Sequence, residues 1–204
     1  SKEGLRLRFK GIQTAAIGAE MMRGRWHVFL FILFLGAILP DATAKACPAS
    51  SFVTNAGNAF LGAARVHTAS AFSGVTSRYT DLRGISMFAL GPHRARLSKS
   101  REAEYLALTR GFIGRFMMKH SARFSGSGMQ IKDCVASSNA LTVSTRLSNG
   151  KKIIFRLQRS KRGFLVRDVN VSSVWLAQQL RSTFVGVINR NGGDINALFA
   201  YLRK

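Results

Sequence analysis

The spacing of apolar residues changes once along the chain and divides it into a helical part and an extended part. From residue 51 to residue 90, apolar and small side chains recur at helical intervals in three short segments. A longer helix is predicted to open at Ser98, with serine as its cap and with Glu102 and Glu104 in its first turn. Its wide apolar stripe comprises Tyr105, Leu106, Thr109, Phe112, Ile113, Phe116 and Met117.

Beyond Gly128 the pattern alternates with a period of two, which indicates β-strands. The alternation predicts strands over residues 129–135, 141–147, 152–158 and 164–171. Asn149-Gly150 between two of them is a strong hairpin signal. One face of each strand is apolar and the other carries basic residues. We therefore expect an antiparallel meander of about four strands, with helices covering one side.

The period changes back at Ser172-Ser173, where a serine can cap a new helix. We expect Val174 and Trp175 to begin that helix and a last helix to run over residues 194–202, with Asp81 and Asp194 as further N-caps. Helices, a curved antiparallel sheet and then more helices make the predicted fold class α+β.

The first 46 residues have the pattern of a targeting segment. A basic stretch at residues 21–27 precedes twelve uninterrupted apolar residues, 28–39, and small residues stand at Ala44 and Ala46. This predicts a signal peptide over residues 21–46, with cleavage after Ala46 and cleavage after Ala44 as the alternative. Residues 1–20 are interpreted as a non-native or mis-assigned upstream extension. Residues 47–204 then form a single domain.

Charge and cysteines add two expectations. The chain has a formal charge of +22, and residues 47–204 keep 24 basic against 6 acidic side chains. This balance favours an anionic partner: nucleic acid, lipid headgroups or an acidic protein surface. Cys47 and Cys134 are the only cysteines, and export would allow them to pair, but sequence alone leaves the pairing open.

The sequence offers little catalytic chemistry. It contains no nucleophile elbow, phosphate loop, dinucleotide fingerprint or spaced histidines for a metal. Four of the six acids in residues 47–204 have structural roles as caps or in a helix first turn, which leaves Asp133 and Asp168 as a speculative hydrolytic pair. We expect a protein that is not an enzyme and holds no metal.

Several stretches, in order, resemble the MlaC, or toluene-tolerance, family of periplasmic phospholipid-shuttle proteins. They cover most of residues 50–204. The stretches are Leu90-Gly91, the helix from Ser98 through Leu106-Ala-Leu-Thr-Arg110, Arg167-Asp-Val-Asn-Val171 with Val174-Trp-Leu176, Arg181-Ser-Thr-Phe184, and Gly192-Gly-Asp-Ile-Asn-Ala-Leu198. The family usually has Glu-Gly where this chain has Ser172-Ser173, and often a proline where it has Lys99. These departures make a hopanoid-associated branch an alternative.

The resemblance implies a periplasmic carrier that shuttles glycerophospholipid between an outer-membrane lipoprotein complex and an inner-membrane ABC transporter complex, so that lipid asymmetry is maintained. It implies a monomer without cofactor, whose bound phospholipid is cargo, and no nucleic acid partner. Asp168 matches a family position and is interpreted as structural.

A carrier needs a dry pocket, because each exposed methylene costs about 0.8 kcal/mol. The predicted wall takes apolar residues from the long helix, the sheet and the short helices, although each could equally be plain core. The predicted lipid-binding residues are Phe72, Met87, Phe88, Phe112, Phe116, Phe155, Leu157, Val169, Val171 and Val174.

Two other classes of function stay open. One is an exported cationic protein that binds an anionic envelope polymer or nucleic acid through Arg146, Lys152, Arg156 and Arg167, although no stacking aromatic is expected on that face. The other is a hydrolase that uses Asp133 and Asp168.

Overall fold

The computed structural model describes residues 46–124, 126, 128–161 and 163–204. The predicted upstream extension and nearly all of the predicted signal peptide lie outside these residues. The helices are α1 (Ser50–Val66), α2 (Ala69–Tyr79), α3 (Leu82–Ala89), α4 (Glu102–Lys119), α5 (Leu176–Arg190) and α6 (Ile195–Arg203). The strands are β1 (Met129–Ala136), β2 (Ala140–Leu147), β3 (Lys152–Ser160), β4 (Gly163–Val171) and β5 (Val174–Trp175).

The five strands form one open antiparallel sheet in the order β1-β2-β3-β4-β5. The α+β class is confirmed, and the first four strands begin and end within two residues of their predicted limits. Alternate residues of β2 and β3 are buried, as the period of two requires. Leu141, Val143, Phe155 and Leu157 therefore face the helices, while the opposite face is polar and basic.

The strand β5 corrects the prediction for the join. Ser172 and Ser173 do not cap a helix: both have left-handed backbone conformations, with φ of 50° and 67°, and turn the chain back on itself. Val174 and Trp175 then pair with Val171 and Asn170. The helix starts only at Leu176.

Helix starts show which capping predictions hold. The Asp81 side chain accepts from the Gly84 N–H at 2.9 Å, and Asp194 accepts from the Asn196 N–H at 2.9 Å, as expected. Ser98 is not a side-chain cap, because its hydroxyl contacts Ser100 and a 3₁₀ turn comes before α4. The disulfide Cys47–Cys134, with its Cα atoms 5.6 Å apart, joins the chain before α1 to β1.

The helices divide the buried side chains between two cores. The first core lies on the inner face of the sheet, against residues of α1, α2 and α4 such as Val53, Phe72 and Met117. The second core lies among α3, α4, α5 and α6, around Tyr105 and Phe199. Because α4 and α5 contribute to both, they place their apolar stripes at the boundary between sheet and helices.

Candidate functional site

An apolar cavity of about 100 Å³ lies between the helices and the inner face of the sheet. The helical wall consists of Gly57, Phe60, Leu61, Thr76, Thr80, Ile85, Ile113, Met117, Leu176, Ala177 and Leu180. The sheet wall consists of Met129, Leu147, Ile153, Phe155, Val166, Asp168 and Val169. Every long strand and five of the helices contribute, so the cavity depends on the packing of the whole fold.

A second apolar chamber of about 110 Å³ lies among α4, α5 and α6. Its aromatic wall contains Phe112, Phe116 and Tyr201, with the Phe112 ring centroid 5.6 Å from that of Tyr201. The two chambers share four wall residues, which therefore form a partition between them: Ile113, Met117, Leu176 and Leu180. All four have flexible or branched aliphatic side chains, and a small separation of α4 from α5 would join the chambers.

Two threonines bring polar atoms to the cavity wall. The Thr80 hydroxyl donates to the Thr76 carbonyl oxygen at 2.7 Å, so its hydrogen bond is local to α2. The Thr76 hydroxyl is buried and has no hydrogen-bond partner among the described residues. Such an unpaired group is uncommon in a protein interior.

Asp168 is the third polar residue of the wall and fixes the start of α5. Its Oδ1 accepts from the Val169 N–H at 2.8 Å and from the Ala177 N–H at 2.9 Å. Burial raises the pKa of Asp168, and the two N–H donors and the positive charge of Arg156 oppose that rise. A carboxylate placed at the N-terminus of a helix also interacts favourably with the helix dipole. The acid thus holds Leu176 and Ala177 at the edge of the cavity.

The sequence profile of the MlaC protein family matches residues 55–204. The chain belongs to the MlaC family. The resemblance seen in the sequence is therefore confirmed, and the matched region contains every residue of both chambers. No curated protein matched the chain by sequence.

A solved structure also has the fold of this MlaC-family chain. It is the phospholipid-binding protein from Ralstonia solanacearum in complex with a phospholipid, with a TM-score of 0.66 and 17% sequence identity. The match covers 77% of this chain and 96% of the Ralstonia chain. At this identity the likeness establishes the shared fold.

The ten predicted lipid-binding residues lie in six different environments. Phe155 and Val169 line the main cavity, and Phe112 and Phe116 line the second chamber. Three lie in the core on the inner face of the sheet: Phe72, Leu157 and Val171. Met87 is buried in the second core, the half-buried Phe88 ring lies under the Arg181 guanidinium, and Val174 is exposed. Their contact with lipid stays a prediction.

Sequence reasoning missed the part of the wall that α1 contributes. Gly57 faces Met129 so closely that a Cβ atom at position 57 would overlap its thioether. The missing side chain lets Met129 reach from the sheet to the helix and close this side of the cavity. A glycine on the apolar face of an otherwise good helix was the available signal, since glycine there costs about 1 kcal/mol relative to alanine.

The residues of the two alternative functions are arranged differently from expectation. Asp133 and Asp168 lie on β1 and β4, with two strands between them, which separates them by about 14 Å. Of the predicted cationic face, Arg156 stacks on Trp175 at 3.7 Å and Arg167 pairs with Asp81 at 3.4 Å. The expectation of no stacking aromatic on this face was wrong.

The described residues contain no group of acidic, histidine or cysteine side chains placed to hold a metal ion. Within the same residues, no helix combines the length and apolar character of a membrane span.

Proposed function

We propose that this protein carries glycerophospholipid, with the acyl chains held between the helices and the inner face of the sheet. The observation that carries the proposal is a wall that is apolar except for Thr76, Thr80 and Asp168. An acyl chain gains about 0.8 kcal/mol for each methylene that such a wall removes from water. Membership of the MlaC family and the phospholipid in the Ralstonia structure support this ligand class.

Loading requires the wall to move. The main cavity measures about 100 Å³ and the second chamber about 110 Å³. Sites for drug-sized ligands measure about 300–1,000 Å³, and an apolar cavity of about 150 Å³ accommodates benzene. One acyl chain is larger than benzene, so displacement of Ile113, Met117, Leu176 and Leu180 would have to merge the chambers. The separation of α4 from α5 is the movement that does this.

The proposed cellular role is shuttling between membranes. After export to the periplasm, the carrier would exchange phospholipid with an outer-membrane lipoprotein complex and an inner-membrane ABC transporter complex, and so maintain lipid asymmetry. Transfer needs no bond to be made or broken, so the proposal assigns no catalytic residue and no cofactor. We expect a monomer, because the cargo site is built within one chain.

Native mass spectrometry of the protein purified from cells tests the ligand class. We expect a mass increment equal to that of a glycerophospholipid, and lipid extraction should identify it. A hopanoid in its place would support the alternative branch. An empty protein that instead binds an anionic polymer with steep salt dependence would overturn the carrier proposal.

A further inference from the structure

The strand register shows that the β2–β3 and β4–β5 turns lie at the same end of the sheet. Arg146 on β2 pairs with Lys152 on β3, and Ile153 pairs with Val171 on β4. Lys152 therefore lies beside Ser172, where the β4–β5 turn begins. The β2–β3 turn, which includes Lys151, lies at the same end. We call this surface the cationic sheet end, defined by Arg146, Lys152 and Val174.

Neither Arg146 nor Lys152 has an acidic partner among the described residues. The ion pairs between described residues involve Arg83, Arg101, Arg167 and Arg203, and none includes Arg146 or Lys152. Arg146 donates to the Gly150 carbonyl oxygen at 3.1 Å, which leaves its charge uncompensated.

Asp133 is the acid closest in register on this face of the sheet. It pairs with Ser144, two residues along β2 from Arg146. Its carboxylate accepts the N–H of the next residue, Cys134, at 2.8 Å. Arg146 and Lys152 are both exposed, so the cationic sheet end presents positive charge to the solvent.

The β4–β5 turn places an apolar side chain at the same end of the sheet as these cations. Ser172 and Ser173 both have positive φ, a conformation that costs energy for residues other than glycine. The pairing of Val174 with Val171 holds the turn closed. Val174 remains 43% exposed. Val174 pairs directly with the inner-face residue Val171, whereas Arg146 and Lys152 pair with each other on the outer face. An exposed aliphatic residue at the same end of the sheet as these cations suits a lipid interface, where it meets acyl carbons while the cations meet phosphate.

The same end of the sheet supplies part of the cavity wall. Met129, Leu147 and Ile153 line the cavity. They are the first residue of β1, the last of β2 and the second of β3. We propose that the cationic sheet end docks on an anionic bilayer surface and so brings this part of the cavity next to phospholipid. This inference rests on the proposed carrier function.

Vesicle flotation tests the docking surface. The purified protein is mixed with vesicles of phosphatidylcholine alone or of phosphatidylcholine with about one third phosphatidylglycerol. Wild type should float only with the anionic vesicles. Each basic residue near such a surface contributes about fivefold in partitioning, so the pair Arg146→Glu and Lys152→Glu should weaken it by about twentyfold or more. Val174→Ser should weaken it by about threefold without a change in charge.

The matched control is the double variant Arg78→Glu and Arg190→Glu, which makes the same change in net charge away from the cationic sheet end. Arg78 lies on α2, two residues before Thr80. Thr80 bridges to Val166, which is five residues along β4 from Val171, so Arg78 is distant from the cationic sheet end. Arg190 ends α5, about 20 Å from Leu176. The control pair should retain at least about half of the partitioning, since it lies away from the proposed contact.

Three outcomes overturn the docking proposal. The first is wild type that does not float with anionic vesicles, which is expected if the surface binds an acidic protein. The others are an equal loss of flotation in both charge-reversed pairs and no loss of flotation in either pair. Circular dichroism confirms that each variant is folded. Native mass spectra of the same samples separate this inference from the proposed function. Bound phospholipid without flotation overturns the docking surface alone, whereas flotation without bound phospholipid overturns the carrier proposal.

Discussion

Two buried threonines differ in whether their hydroxyls have partners. Thr145 donates to the Ile153 carbonyl oxygen at 2.9 Å, whereas the Thr76 hydroxyl has no partner among the described residues. An unpaired buried hydroxyl costs about 1–3 kcal/mol, and a paired one contributes about 1 kcal/mol. We expect Thr76→Val to raise the free energy of unfolding by about 1 kcal/mol and Thr145→Val to lower it by about 1 kcal/mol. Urea denaturation measures both. A loss of stability in Thr76→Val would show that its hydroxyl is satisfied.

Asp168 predicts a pH dependence with a definite sign. Burial raises its folded-state pKa above the unfolded value of about 3.9. Its contribution to the free energy of unfolding is therefore fully present below the unfolded pKa and is lost as pH rises through the folded pKa. Asp168→Asn can still accept both N–H groups but does not titrate.

The measurement compares wild type with Asp168→Asn by denaturant unfolding between about pH 4 and pH 7. The difference in stability, wild type minus variant, should fall as pH rises across this window. The matched control is Asp133→Asn, which makes the same change of side chain at an exposed position. A difference that grows with pH would mean that the N–H donors outweigh burial and lower the pKa.

At the scale of elements, two helices approach closely because one of them has a glycine. A Cβ atom at Gly114 on α4 would overlap the Ala69 carbonyl oxygen and the Ser73 hydroxyl of α2. Gly114→Ala should therefore force the helices apart and lower the free energy of unfolding by about 1–3 kcal/mol. Thermal or urea unfolding measures the change.

Gly74 on α2 is the matched control, because a Cβ atom there would meet nothing within 4 Å. Gly74→Ala should raise stability by up to about 1 kcal/mol through helix propensity alone. If both alanine variants were stabilised to the same degree, the conclusion that α2 and α4 are too close for a side chain at position 114 would be wrong.

The join between sheet and helix shows where the sequence pattern was insufficient. Ser172 precedes apolar residues, which is typical of a helix cap, and local propensity predicted one. The structure instead uses both serines in a tight turn, since Val174 and Trp175 gain strand pairing with β4. The cap on α5 comes from Asp168, nine residues before Ala177. A cap that is distant in sequence leaves no local signal.

For the whole molecule, periodicity was sufficient for the fold but not for the site. The period of two located β1 to β4, because one buried face forces alternation along each strand. The same pattern cannot separate a core residue from a cavity residue: Phe155 and Leu157 alternate identically, yet only Phe155 is among the described residues of the wall. That distinction depends on how closely α1, α4 and α5 approach the sheet.

Lipid loading of a Phe155→Trp variant tests most directly that the cavity holds the acyl chains. The larger ring should fill the space that the chains need, so we expect the purified variant to carry at most about a tenth of the phospholipid bound by wild type. Val135→Trp, on the exposed outer face of β1, is the control and should load normally. Native mass spectrometry counts bound lipid, and circular dichroism confirms the fold. Equal loading of wild type and a folded Phe155→Trp protein would contradict the account.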